Sequence, residues 1–377
     1  MNICGKISQI SYPDNIITNL KDMKKSIKYI SSVVLLFIIV AIIVTNKSTD
    51  ILKIGVILPL SGESSSLGEK IKRGIDLAIG ESNSENKFDF IYEDGGMTPR
   101  SALNAYQKLT NIDKVSVFIG PFGPDQIMSL APVLKDEQIV LGVSLCEDRF
   151  IKYVQIFCTY PAISDQIKSG ITTIQKNNLK SIAIVVPKGI LGDAVRGELE
   201  KYQSDSGYKI VATENIQQGE KDFRSIITKI KSYKTDGVYI ASLPEEGYRL
   251  IKQFRELDYK GTILAEVDFD ENILKDYGNI AEGIYLPGHI SPEFEKSFSE
   301  RYRLIYKEEP DMYAALGHSI ASSILKSFSG RDFKKDRLFN QENTRTAIID
   351  FRFKDDRTVS IPVETLIFKD QKIQRLK

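Results

Sequence analysis

From Leu52 onward the chain alternates short apolar runs with stretches whose apolar residues recur every three or four positions. The runs Lys53–Leu58, Phe88–Glu93, Val115–Ile119 and Ile139–Val143 predict strands. A second series follows at Ser181–Val186, Lys209–Asn215, Gly237–Ser242, Thr262–Val267 and Ile284–Leu286. Their starts recur every ~25–35 residues, the length of a βαβ unit, and their β-branched content suits strands covered on both faces. Between them, Leu67, Ile71, Ile75, Ala78 and Ile79 share one helical face. Thr98 followed by Pro99 is an N-cap and first-turn pair, opening a helix with Leu103, Tyr106 and Leu109 inward. Ile127, Leu130 and Leu134 repeat the pattern, as do Ile226, Ile227 and Ile230. Alternation of this kind specifies a parallel sheet with helices on both faces.

The alternating region is longer than one such sheet needs. The strand series pauses between Val143 and Ser181, where a longer connection carries Pro161, and a crossover between two doubly wound α/β lobes is expected there. No Gly/Ser-rich or Pro-rich linker separates the lobes, so they should pack across a cleft. Ligands bind at the carboxyl ends of parallel strands, which here would face that cleft.

The N-terminus has a different pattern. No charge lies between Lys28 and Lys47, and Val33–Val44 is unbroken apolar sequence. Tyr29–Thr45 would reach about 25 Å as a helix at ~1.5 Å per residue, close to the lower limit for crossing a bilayer. It lacks the polar stripe of a core helix, no pair of small residues marks a cleavage site, and no cysteine follows to carry a lipid. An uncleaved signal anchor is therefore expected at 29–45, with a cleaved signal peptide as the rival. Lys21, Lys24, Lys25 and Lys28 precede the run, so residues 1–28 should stay in the cytoplasm. Residues 46–51 form a linker, and the main domain is extracytoplasmic on a single-pass protein of the bacterial inner membrane. In that oxidising compartment Cys146 and Cys158 either pair or remain two reduced thiols, while Cys4 lies on the cytoplasmic side.

Composition narrows the function. The values of 42% hydrophobic and 27% charged residues are globular and exclude a disordered or fibrous chain. With 51 basic and 50 acidic residues the net charge is +1, without the basic excess of a nucleic-acid binder. Gly62–Lys70 has the wrong spacing for a phosphate loop. His289 and His318 have no acidic ligand pattern around them, and HExxH, CxxC and GxSxG do not occur. No catalytic residue, metal or cofactor is expected.

The segments IGVILPLSGESSSLGEKIKRGIDLAI, FIYEDGGMTPRSALNAYQKL, VSVFIGPFGPDQIMSLAPVL, DFRSIITKIKSYKTDGVYIAS and PDMYAALGHSIASSIL occur in this order. Together they resemble the branched-chain amino-acid (Leu/Ile/Val-type) substrate-binding proteins of ABC transporters. DFRFKDDRTVSIPVETLIFKD is similar to that family's closing hairpin. The resemblance implies a type I periplasmic-binding-protein fold, with two lobes, a three-crossover hinge and closure on a small ligand. Lobe 1 would comprise 52–160 and 288–345, and lobe 2 161–287 and 346–377, with crossovers near Pro161, Pro287 and 344–348.

The family's binding residues carry over unevenly. The loop expected to hold an α-carboxylate is Gly120–Asp125, including Gly123; here Pro124 lacks an N–H and Asp125 is negative. The next contact falls on Leu145, Cys146 and Glu147, again with a carboxylate in place of a hydroxyl. Positions where relatives often place tyrosines are Leu67, Leu191 and Leu243. Glu266 or Asp268 falls where an acid meets the ligand's ammonium. The implied protein is a tethered solute-binding protein that delivers a small polar, amino-acid-like ligand, amides and cations included, to an ABC permease. The alternative is a ligand sensor or scaffold of the same fold that regulates a membrane receptor or cell-envelope enzyme.

Overall fold

The computed structural model describes residues 28–29, 31, 51–82, 87–145, 148–150, 152–267, 274, 278–290, 293–330, 332–341 and 344–376. The segment expected to anchor the chain lies almost wholly outside the described residues. Among the latter, no helix is long and apolar enough to cross a membrane. Leu52–Lys377 forms one compact unit.

That unit holds two sheets. The first is parallel, in the order β2-β1-β3-β4-β5, from β1 (Leu52–Leu58), β2 (Phe88–Asp94), β3 (Val117–Phe122), β4 (Ile139–Val143) and β5 (Ile156–Cys158). The second contains β6 (Ser181–Pro187), β7 (Lys209–Ile216), β8 (Gly237–Ala241), β9 (Thr262–Glu266) and β10 (Ile284–Ile290), in the order β7-β6-β8-β9-β10. Both therefore run second-first-third-fourth-fifth, with a switch in direction beside the first strand of each. In open α/β sheets such a switch point opens the crevice that takes a ligand. A C-terminal hairpin, β13 (Val363–Lys369) and β14 (Lys372–Arg375), adds two antiparallel strands beyond β10. Phe328–Ser329 and Asp332–Phe333 form a separate short ladder, β11 and β12.

The pleat explains the layers. In β1, Ile54, Val56 and Leu58 face one side and pack with Leu67, Ile71 and Ile75 of α1 (Ser65–Glu81). Ile57 faces the other side and packs with Ala102, Ala105 and Leu109 of α2 (Pro99–Asn111). Thr98 caps α2 as its sequence predicts, its hydroxyl accepting from Ser101 N at 3.2 Å. In lobe 2, Ile182, Ile184 and Val186 pack with Ile167, Ile171 and Ile174 of α4 (Ile163–Lys176) and Val195 of α5 (Ile190–Ser206). Ala183 and Val185 pack on the opposite face with Ile227 of α6 (Arg224–Ser232) and Phe254 of α7 (Pro244–Glu256). Lobe 1 is completed by α3 (Pro124–Leu130), α8 (Lys296–Tyr306) and α9 (Met312–Ser327).

The first connection between lobes is the 159–162 stretch around Pro161, as expected. The third falls later than 344–348. Residues 346–349 hydrogen-bond back to 293–295 and to Ser319 of α9. Cys158 N then donates to Arg357 O, and Arg357 Nε to Ile156 O, while Phe353 packs edge-on against Phe157. The chain thus follows the edge of sheet 1 and enters sheet 2 only at Val363. Cys158 is disulfide-bonded, its partner lying outside the described residues.

His318 is buried on α9, its Nε2 3.2 Å from Glu81 Oε2. Arg301 holds the same carboxylate, with Nη2 3.0 Å from Oε2. Burial alone would raise the Glu81 pKa, but the His318 and Arg301 interactions outweigh it and hold it below the ordinary value. His318 is therefore part of lobe 1's polar packing. The side chain of His289 lies outside the described residues.

Candidate functional site

The carboxyl ends of the two sheets face one another across a cavity of about 120 Å³. Lobe 1 contributes Phe122 from the end of β3, Val143, Ser144 and Leu145 from the end of β4, and Tyr313 from the first turn of α9. Lobe 2 contributes Ala241, Ser242 and Leu243 after β8, Glu266 and Val267 at the end of β9, and Pro287 and Gly288 in β10. Tyr160 and Gln166 enter from the first crossover and α4.

Of the residues expected at the site, Gly123, Leu145, Leu191, Leu243 and Glu266 line this cavity. Leu67 does not line it. It is 7% exposed and packs into the lobe 1 core from α1. Cys146, Glu147 and Asp268 lie outside the described residues. Phe122, Ser144, Tyr160, Gln166, Ser242 and Tyr313 were missed. Ser144 and Ser242 follow immediately on β4 and β8, so the rule that ligands meet strand carboxyl ends could have found them. No local pattern distinguishes Tyr313 from any other buried helix aromatic.

Glu266 is the sole carboxylate among the described residues lining the cavity, and these include no Lys, Arg or His. Its Oε2 accepts a 2.5 Å hydrogen bond from the buried Tyr239 hydroxyl. Burial, reinforced by the Glu266 charge, pushes the Tyr239 phenol well above its ordinary pKa, so it remains a donor at neutral pH. That bond orients the carboxylate and leaves its other oxygen able to meet a ligand N–H or cation. The opposite wall is poor in donors. Pro124 stands at N1 of α3 without an N–H, and Gly123 N is committed to Val143 O at 3.0 Å. Gly123 has φ +95°, and a Cβ there would lie 2.5 Å from Gln126 Oε1. Both its conformation and its closeness to Gln126 require glycine.

Asp125 is not aimed into this cavity. Both its carboxylate oxygens lie 3.1 Å from the backbone N–H of Ile190, the first residue of α5 in the other lobe. The negative charge assigned to ligand selection is therefore a cross-lobe helix cap, placed where the α5 dipole favours an anion. Arg149 Nη2 donates to Ile190 O at 3.4 Å. Glu63 adds weak exposed pairs to Lys221 at 3.6 Å and Arg249 at 3.9 Å, each contributing ~0–1 kcal/mol. The loop carrying Glu63 is shaped by Asp94, which accepts from Leu60 N at 2.9 Å and Gly96 N at 3.0 Å. Burial works to raise the Asp94 pKa, but these bonds together hold it below the ordinary value.

Because the Asp125 bond exists only when the lobes meet, it stabilises the closed arrangement selectively. Asp125→Ala should weaken ligand binding about tenfold, the effect of ~1.4 kcal/mol, within the ~1.5–3 kcal/mol typical of a hydrogen bond to a charged group. Asp125→Asn should lose less. Titration calorimetry checks this; equal affinity in Asp125→Ala would remove the latch.

A periplasmic binding protein family model matches residues 51–334. The chain belongs to this family. The Leu/Ile/Val-binding protein homolog 2 of Brucella abortus (strain 2308) is 25% identical over 221 residues, which are 56% of this chain and 59% of that protein. The match thus spans less than two thirds of that relative's length. An amino acid binding protein of Pseudomonas aeruginosa is 24% identical over 309 residues, 76% of this chain and 80% of its own. Among solved structures, the substrate-binding protein LivJ of Streptococcus pneumoniae in complex with isoleucine has a TM-score of 0.73 at 21% identity. It covers 86% of this chain and 98% of its own. A solute-binding protein of Rhodopseudomonas palustris in complex with benzoate has a TM-score of 0.74 at 20% identity, covering 86% and 95%. These likenesses establish the type I periplasmic-binding-protein fold.

Proposed function

We propose that this chain is an extracytoplasmic solute-binding protein that closes its lobes on a small ligand and presents it to an ABC permease, without chemistry of its own. The observation carrying this reading is the cavity between the carboxyl ends of the two sheets, apolar apart from a few hydroxyls, an amide and one oriented carboxylate. Such a site suits a ligand with an apolar body and an amine, amide or other N–H-bearing group directed at Glu266. The isoleucine and benzoate bound by the two structural neighbours support a small organic solute. The 29–45 run is the proposed tether to the inner membrane, which would keep the binding domain at the permease.

A thermal-shift screen of amino acids, their amides, amines and carboxylic acids tests the reading. A ligand at a hundredfold excess over Kd stabilises by about 2.7 kcal/mol, so an amine or amide should give a clear rise in Tm and a simple carboxylic acid none. A response confined to carboxylic acids would overturn the assignment of Glu266.

A further inference from the structure

We propose that the cleft takes a ligand longer than one amino acid: a short peptide whose amino end meets Glu266 and whose carboxyl end reaches Lys188 in a second compartment. The proposal rests on the solute-binding reading above. A hollow of about 280 Å³ adjoins the cavity and shares Phe122, Gly123, Pro124, Leu191 and Leu243 with it. Its remaining walls differ in kind from the first, with Gln126, Gln217, Gln218 and Lys188 the polar residues facing a ligand. Lys188 makes no ion pair among the described residues.

The polar wall is held in place from behind. Gly219 N donates to Oε1 of the buried Glu246 at 2.7 Å, and Gln217 N to Glu220 at 2.9 Å. Gln253, also buried, accepts from Phe223 N at 2.7 Å and donates to Lys221 O at 2.8 Å. On the lobe 1 side, Gln126 is 6% exposed and its Nε2 donates to Met97 O at 2.7 Å. That bond fixes the amide so that Oε1 lies on the Gly123 side, as an acceptor for a ligand N–H.

Charge placement then selects length. An α-amino acid carries its ammonium and carboxylate on one carbon. With the ammonium at Glu266, its carboxylate would stay in the first compartment, where the described residues offer no cation and α3 begins with a proline. Each peptide residue adds ~3.3–3.6 Å of extended chain, carrying the carboxylate past Pro124 and Leu191 toward Lys188, with its amide N–H beside Gln126. The first compartment would take an apolar N-terminal side chain.

Titration calorimetry on the full chain with leucine, leucinamide, Leu-Gly and Leu-Gly-Gly tests this. One of the peptides should bind at least tenfold more tightly than leucine. Lys188→Gln, a change at an exposed position, should cut the preference for that peptide over leucinamide at least fivefold. Leucine binding as tightly as either peptide, or a preference unaltered in Lys188→Gln, would overturn the proposal while leaving the solute-binding reading intact. Silence from all four probes in folded protein would count against that reading and against the proposal with it.

Discussion

Gly317→Ala should lower the Tm of the binding domain by roughly 5–10 °C. Helices α1 and α9 cross with their backbones in contact. A Cβ on Gly317 would lie 2.1 Å from Ile71 O, and one on Gly74 would lie 1.9 Å from Ala314 O. Carbonyl oxygens cannot rotate away as a side chain can, so the helices themselves must separate. Overpacking typically costs ~1–3 kcal/mol, and a backbone clash on both sides of one crossing belongs at the upper end. At ~2–4 °C per kcal/mol for domains of 150–250 residues, about 3 kcal/mol gives the stated fall. Gly197→Ala is the control. It lies within α5 with nothing within 4 Å of its would-be Cβ, so helix propensity should stabilise it by up to ~1 kcal/mol. Calorimetric melting of the two variants decides; equal Tm values would contradict the close crossing.

Glu266→Gln should weaken binding of an amine-bearing ligand about 10- to 100-fold while leaving the unliganded Tm nearly unchanged. The substitution keeps the shape and still offers Tyr239 an acceptor, but it removes the charge opposite the ligand. Hydrogen bonds to charged groups contribute ~1.5–3 kcal/mol, and each ~1.4 kcal/mol is tenfold in Kd. Titration calorimetry on both proteins reads the ratio. An unchanged Kd would mean that the ligand's N–H group is held elsewhere.

The sheets were legible because β-branched runs such as Ile182–Val186 carry their own signal on both faces. The short edge strand Ile156–Cys158 was not, since three residues bounded by irregular chain carry no period. Its pairing depends on Arg357, about 200 positions away, and on the stacking of Phe353 against Phe157. The same long-range packing moves the third crossover past the expected position. At the site, Glu266 stood out because an acid at the end of an apolar strand has few reasons to be there. Pairing with Ala241 puts it at the cleft end of the sheet. Asp125 also stood out as an anomaly, but its partner is a helix N-terminus 65 residues later in the other lobe. No local pattern distinguishes a cross-lobe cap from a ligand contact. Leu67 faced the opposite limit, because a leucine at the start of an amphipathic helix satisfies core and cleft equally.

The central claim is that the two lobes close on a ligand between the carboxyl ends of their sheets. Small-angle scattering of the protein with and without a ligand confirmed by calorimetry tests it most directly. The account predicts a smaller radius of gyration with ligand, and a weaker contraction in Asp125→Ala, where the closed arrangement has lost its cross-lobe cap. A radius of gyration unchanged by a saturating ligand would contradict it.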